Sequence, residues 1–227
     1  MLKEAKEKQN QAQFDHYEQN GGVVLGPYTS HIWRHDPRHL GFLLARYKFC
    51  AKMLQGKKRV LEVGCGDSLG TSVVLQTVSE VVGIDFEPIV IEDADRRNEN
   101  EGRCSYRVHD MTQSPVYPRF DAAFSLDVIE HIPPEMERVF LSNIADSLNE
   151  DGVFIMGTPN ITAQAYASEC SKIGHINLKS GESIRQSLLP FFQNVFVFSM
   201  NDEVVHTGYL PMAHYLIAMG VGKKSEC

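Results

Sequence analysis

Short apolar runs alternate with amphipathic stretches along most of this chain. Arg59 to Cys65, Glu80 to Phe86, Ser105 to Asp110, Phe120 to Asp127, Gly152 to Thr158, Asn194 to Met200 and Ala213 to Met219 are compact and rich in β-branched and aromatic residues, which predicts strands. Between the early ones lie helix-like runs, Ser68 to Ser79, Pro88 to Glu101, Pro134 to Asn149 and Ser180 to Phe192. Pro88 and Pro134 fall at first-turn positions, where the missing N–H of proline costs nothing. Continuous apolar strands joined by helices require a parallel sheet covered on both faces. The last two strands have no helical pattern between them, so they are expected to pair antiparallel at one edge.

Ahead of the first strand, Leu40, Phe42, Leu43, Leu44, Tyr47, Phe49, Met53 and Leu54 recur at helical spacings and Gly56 follows, predicting a mostly buried helix with a glycine stop. Residues 1 to about 20 are polar without apolar periodicity and read as a solvated segment. No repeat or low-complexity linker divides the chain. The expected organisation is a single domain with an N-terminal helical extension over 1–56 and a core over 57–227. The expected fold class is α/β, a Rossmann-like, seven-stranded, mostly parallel sheet with an antiparallel last strand and helices on both faces.

Composition narrows the function. The chain has 227 residues, of which 43% are hydrophobic and 22% charged, enough for a full core. Its formal net charge of −7 disfavours a large nucleic acid as partner. No run approaches the ~20 apolar residues of a membrane-spanning helix, and the polar N-terminus is unlike a signal peptide, so a cytoplasmic location is expected. Cys50, Cys65, Cys104, Cys170 and Cys227 are widely spaced without a CxxC pair, which suggests reduced thiols rather than a disulfide framework or zinc knuckle.

The first strand ends in Val63-Gly64-Cys65-Gly66 and opens a helix, the place where a doubly wound sheet receives a nucleotide-like ligand. Leu69 stands where a dinucleotide fingerprint asks for a third small residue, which argues against NAD. The second strand ends in Asp85, a carboxylate able to accept from ribose hydroxyls, with Phe86 able to lie along a purine. The third ends in His109-Asp110-Met111, a carboxylate beside an apolar side chain, suited to an adenine amino group. Three successive strand ends thus offer what a nucleoside laid across the sheet edge requires.

From about Val60 onward the sequence resembles the class I S-adenosylmethionine-dependent methyltransferases. The resemblance rests on Glu62-Val63-Gly64-Cys65-Gly66, Gly83-Ile84-Asp85, His109-Asp110, the run Phe120 to His131, and Leu148-Asn149-Glu150-Asp151-Gly152. It implies S-adenosyl-L-methionine as cofactor, with Gly64 and Gly66 near its methionine part, Asp85 at the ribose, Asp110 and Met111 at the adenine, and Leu126 near the methionine amine. The antiparallel last strand agrees with the family. Ser68-Leu69 departs from it, since many members carry another glycine there.

Methyl transfer to a hydroxyl needs alignment and a proton acceptor. His131, His175 and His206 all follow strands at the carboxyl edge of the sheet; His131 or His175 is the expected base and His206 an acceptor contact. His16 and His39 read as solvated, while His109 is expected to position the adenine loop. Asp127, Glu130 and His131 stand at i, i+3 and i+4 and would share a side if Asp127 opens a helical turn. Similar runs, with a further distant His, occur in metal-dependent methyltransferases of RNA ends and quinones, so a divalent metal is a less favoured alternative. Family members commonly cover the donor with an N-terminal segment, which makes Trp33 and Arg34 candidate clamps.

The loops around Tyr166 and His175, and Asn201 to Tyr209, carry many hydrogen-bonding side chains and few basic ones, suiting a small hydroxylated molecule. They look similar to bacterial methyltransferases of surface-glycan and sugar pathways. The reading is O-methylation of a small, polar acceptor, a nucleotide sugar or glycan, with Tyr166 among its contacts. A metal-assisted enzyme and a non-catalytic nucleoside-binding module are the alternatives.

Overall fold

In the computed structural model, which describes residues 4–99 and 101–224, the chain forms one eight-stranded sheet with helices on both faces. Asn100 and Cys227 lie outside the described residues. The helices are α1 (Gln11–Asn20), α2 (Pro27–His35), α3 (His39–Met53), α4 (Thr71–Val74), α5 (Pro88–Arg97), α6 (Glu137–Asp146), α7 (Glu169–Gly174) and α8 (Gly181–Leu188). The strands are β1 (Arg59–Val63), β2 (Glu80–Asp85), β3 (Cys104–Val108), β4 (Phe120–Leu126), β5 (Leu148–Pro159), β6 (Phe192–Asn201), β7 (Val204–His206) and β8 (Tyr215–Lys223).

The sheet order is β3-β2-β1-β4-β5-β8-β6-β7. Strands β1 to β5 are parallel, as the helical crossovers demand. The expected antiparallel pair exists, β6 with β8, but it does not lie at the edge. Strand β8 runs between β5 and β6, antiparallel to both, because its apolar run Tyr215 to Ala218 is buried and needs a partner on each side. The outermost position falls to β7, an eighth strand of three residues that folds back on β6. It is too short and too exposed to leave an apolar run in the sequence.

Period-two alternation divides the core. Leu61 and Val63 of β1 face one layer with Phe120, Phe140 and Phe154, while Val60 faces the other with Phe124, Cys50 and Leu54. A fully buried phenylalanine contributes about 1.5–3 kcal/mol in each case. The predicted helix after Gly66 shrinks to the single turn of α4, and α1 buries no residue, in keeping with the polar sequence of that segment. Cys50 and Cys65 are buried free thiols, and Cys104 is partly exposed. No helix among the described residues is long and apolar enough to cross a membrane.

The strand order reverses at β1, which has β2 on one side and β4 on the other. The crevice outside the carboxyl ends of these strands is where an open α/β sheet takes its ligands.

Candidate functional site

A cavity of about 660 Å³ opens at that crevice. Gly64, Gly66, Asp85, Phe86, Asp110, Met111 and Leu126, the residues singled out from the sequence as donor contacts, all line it. Glycine is obligatory at 64, where φ is +75° and a Cβ would come within 2.3 Å of the Val128 side chain. The Gly64 and Cys65 amides donate to the Ile84 carbonyl at 2.8 and 3.0 Å, tying the turn to the end of β2. Asp85 finishes the turn, its carboxylate accepting from the Gly66 amide and the Glu87 amide, each at 3.0 Å. Each oxygen still has a lone pair for a ribose-type hydroxyl. Asp110 accepts from the Thr112 amide and hydroxyl at 2.8 and 2.7 Å. Burial alone would raise this carboxyl, but the Thr112 bonds hold it below its ordinary value. His109 donates from Nε2 to the Ser114 carbonyl at 2.8 Å, bracing the loop that carries Asp110.

The N-terminal extension covers this cavity through residues that sequence reasoning missed. The Thr29 amide and hydroxyl donate to the two carboxylate oxygens of the buried Asp67 at 2.7 and 2.8 Å, fastening α2 to the glycine turn. The Tyr28 ring rests over Gly66 and lines the cavity, as do Ile32, Leu43 and Tyr47. Trp33, expected as a clamp, is 59% exposed, and Arg34 is exposed too; neither lines this cavity or the one beside it.

A second cavity, about 500 Å³, adjoins the first and contains Arg46, Glu130, His131, Tyr166, His175 and His214. His39, read from sequence as solvated, also lines it and is half-buried. Burial, and next the nearby Arg46, lowers the His39 pKa. Arg46 reaches both oxygens of Asp127 from Nη1, at 2.9 and 2.7 Å, and its guanidinium stacks 3.8 Å from the Tyr215 ring centroid. Asp127 has φ of +59°, a left-handed conformation rare for a residue with a Cβ. It therefore does not open a helical turn with Glu130 and His131; the helical turn begins only at Ile129. Its carboxylate is held instead by Arg46 of α3.

His131 donates from Nδ1 to the Gly174 carbonyl at 3.0 Å, which leaves Nε2 with a lone pair. The His175 ring lies 5.2 Å from it, centroid to centroid, and its buried Nδ1 has no partner. Burial, and next the neighbouring His131, lowers the His175 pKa. Glu130 is buried and accepts from the Thr158 hydroxyl at 3.0 Å. Burial, followed by repulsion from Asp127, pushes its pKa up. One ligand atom from each of Glu130, His131 and His175 falls within 4.8 Å of the others, so this trio, without Asp127, has the reach to hold a cation. Tyr166 lines the second cavity with 90% of its surface exposed. His206 lies elsewhere, on β7, where Nε2 donates to Asn201 at 2.9 Å and Nδ1 accepts from the Gly208 amide at 2.9 Å, so its ring is fully engaged.

Residues 60–152 match the family model described as a methyltransferase domain. Over 140 residues the chain is 29% identical to the ubiquinone biosynthesis O-methyltransferase of Azorhizobium caulinodans, a match covering 58% of this chain and 54% of that protein. The enzyme of the same name from Actinobacillus pleuropneumoniae is 27% identical over 166 residues, 69% of this chain and 68% of its own length. The chain thus spans about half of one relative and two thirds of the other. Among solved structures, N-methyltransferase NodS from Bradyrhizobium japonicum in complex with S-adenosyl-l-homocysteine superposes with a TM-score of 0.61 at 19% identity, covering 84% of this chain and 91% of that one. That likeness establishes the fold.

Proposed function

The chain belongs to the class I S-adenosylmethionine-dependent methyltransferases, and from that premise we propose that it O-methylates a small hydroxylated acceptor, with His131 as the proton acceptor. One observation carries this reading: His131 lines both cavities and holds Nε2 free by spending Nδ1 on the Gly174 carbonyl. The donor supplies a methyl group on a positively charged sulfur. Gly64 and Gly66 bring backbone close to it, Asp85 and Asp110 take its hydroxyl and amino groups, and Met111 packs beside the base.

The acceptor oxygen forms its bond to the methyl carbon as the carbon–sulfur pair returns to sulfur, and the hydroxyl proton passes to His131 Nε2. Holding the two partners in line is worth about 7–11 kcal/mol in favourable cases, and a placed base a further ~10²–10⁴-fold. A neutral imidazole acting as base is far better matched to a phenolic hydroxyl, with a pKa of about 10, than to a much less acidic sugar alcohol. The O-methyltransferase relatives named for ubiquinone biosynthesis support the same choice. A phenolic acceptor is therefore the first candidate and a sugar-containing one the second.

A mass-shift screen decides between them. Protein, donor and a paired panel of catechols and nucleotide sugars should give a gain of one methyl on a phenolic member, and His131→Ala should lose ~10²-fold or more. Donor binding by calorimetry without any methylated product from either half of the panel would overturn the reading in favour of a binding module.

A second reading is favoured by the Glu130, His131 and His175 trio. Mixed carboxylate and imidazole donors suit a borderline divalent ion, and the orphaned His175 Nδ1 is a ligand atom lacking a proton partner. The Gly174 carbonyl orients the His131 ring as metal-site partners do. Bound there, a metal ion would lower the pKa of an acceptor hydroxyl. Turnover that survives EDTA and desalting would remove this reading.

A further inference from the structure

Four of the described residues line both cavities: Ile32 of α2, Leu43 of α3, and Asp127 and His131 after β4. They form the border that a methyl group must cross if donor and acceptor occupy adjoining spaces. Half of that border is apolar and comes from the N-terminal extension. Both apolar residues are set by polar contacts one turn away on the same helix face. Ile32 lies three residues beyond Thr29, which is fastened to Asp67. Leu43 lies three residues before Arg46, which is fastened to Asp127. The two side chains are therefore set by helices that buried and part-buried hydrogen bonds tie down, and do not sit on a loose flap.

We propose that Ile32 and Leu43 fix the width of the passage between the two sites and thereby select acceptors by the bulk beside the reacting oxygen. The pair also lines the passage with carbon, which favours an acceptor whose reacting oxygen stands on a flat apolar ring. This inference rests on the O-methylation reading for its choice of acceptor, but not for the position of the border.

Two measurements keep the two claims apart. In the first, Ile32→Cys and Leu43→Cys are labelled with methyl methanethiosulfonate in the full-length chain and followed by peptide mass spectrometry. Saturating S-adenosyl-l-homocysteine should slow labelling at both positions at least tenfold; unchanged labelling at either would overturn its place on the border. In the second, wild type and Leu43→Ala are assayed with catechol and with 3-tert-butylcatechol. With donor saturating for each protein, the ratio of kcat/KM for the bulky over the small acceptor should rise at least tenfold in Leu43→Ala. An unchanged ratio in an enzyme that methylates catechol overturns the selection role. If wild type methylates neither probe, the phenolic reading fails, and the labelling result still decides where the border lies.

Discussion

Arg46 and Asp127 meet beside the two cavities as a partly buried pair, the guanidinium contacting both carboxylate oxygens while only 9% of the arginine side chain remains exposed. The pair joins the middle of α3 to the loop after β4, which are 81 residues apart in sequence. Burial works against the arginine's charge, and Asp127, together with Tyr215 and Glu130, more than offsets it. Each partner is thus sustained by the other.

Removing only Arg46 should therefore cost more than removing both. Arg46→Met leaves a half-buried carboxylate without its counter-charge, at a cost of about 2–4 kcal/mol, discounted because Asp127 retains some water contact. Arg46→Met with Asp127→Asn should regain at least half of that. Urea unfolding of Arg46→Met, Asp127→Asn and the double variant measures the coupling, and simple additivity of the two single changes would contradict it.

Asp85 offers a test of the proposed donor site. Its carboxylate braces the glycine turn and has lone pairs left for a hydroxyl ligand, so Asp85→Ala loses both roles together. Donor affinity should fall by about 10- to 100-fold, the equivalent of one or two charge-assisted hydrogen bonds. Calorimetry with S-adenosyl-l-homocysteine reads the loss directly. An affinity equal to wild type would show that the carboxylate does not face the ligand.

That these residues gather at one cavity was legible in the sequence for a geometric reason. Gly64, Asp85 and Asp110 each sit at the end of an apolar run, and in a parallel sheet the ends of successive runs share one edge, so order along the chain gives position in space. Helix phase carries no such guarantee. In α2 the conspicuous residues are Trp33 and Arg34, yet the Thr29–Ile32 edge faces Asp67 and the cavities; at 100° per residue this turns Arg34 almost directly away. A usable signal was present in α3, where Arg46 is a lone charge inside the apolar run Leu43 to Tyr47. The place of β8 between β5 and β6 depends on long-range pairing, for which the local pattern holds no instruction.

Glu62 should make stability depend on pH. It is buried on β1, accepts from the Thr71 hydroxyl at 2.7 Å, and burial is the largest influence on a pKa pushed from 4.5 up to about 7. Between those values the native state keeps a proton that the unfolded chain has released. The stability this contributes is complete below pH 4.5 and is lost as pH rises through about 7. Glu62→Gln removes the titration, so at pH 8 it should be more stable than wild type by on the order of 1–3 kcal/mol, with the difference shrinking towards pH 5. Urea midpoints across this range provide the comparison; parallel curves would mean that Glu62 is ionised throughout.

Asp67 should control how firmly the N-terminal extension is closed. Its two oxygens accept the Thr29 amide and hydroxyl in a buried setting, and its own backbone carbonyl accepts from Arg97, which in turn pairs with Asp93. Asp67→Ala strands both Thr29 donors, a loss of about 1–3 kcal/mol concentrated at the contact between α2 and the glycine turn. Thr29→Val surrenders the hydroxyl bond alone and should lose less. Because Val23 and Val24 are exposed in the extended 21–26 segment leading into α2, thermolysin can report the opening. Cleavage there should accelerate at least tenfold in Asp67→Ala, and less in Thr29→Val, with saturating S-adenosyl-l-homocysteine slowing both. If Asp67→Ala were cut no faster than wild type, the segment would be opening without disturbing Thr29, and the carboxylate would serve only the turn on which it sits.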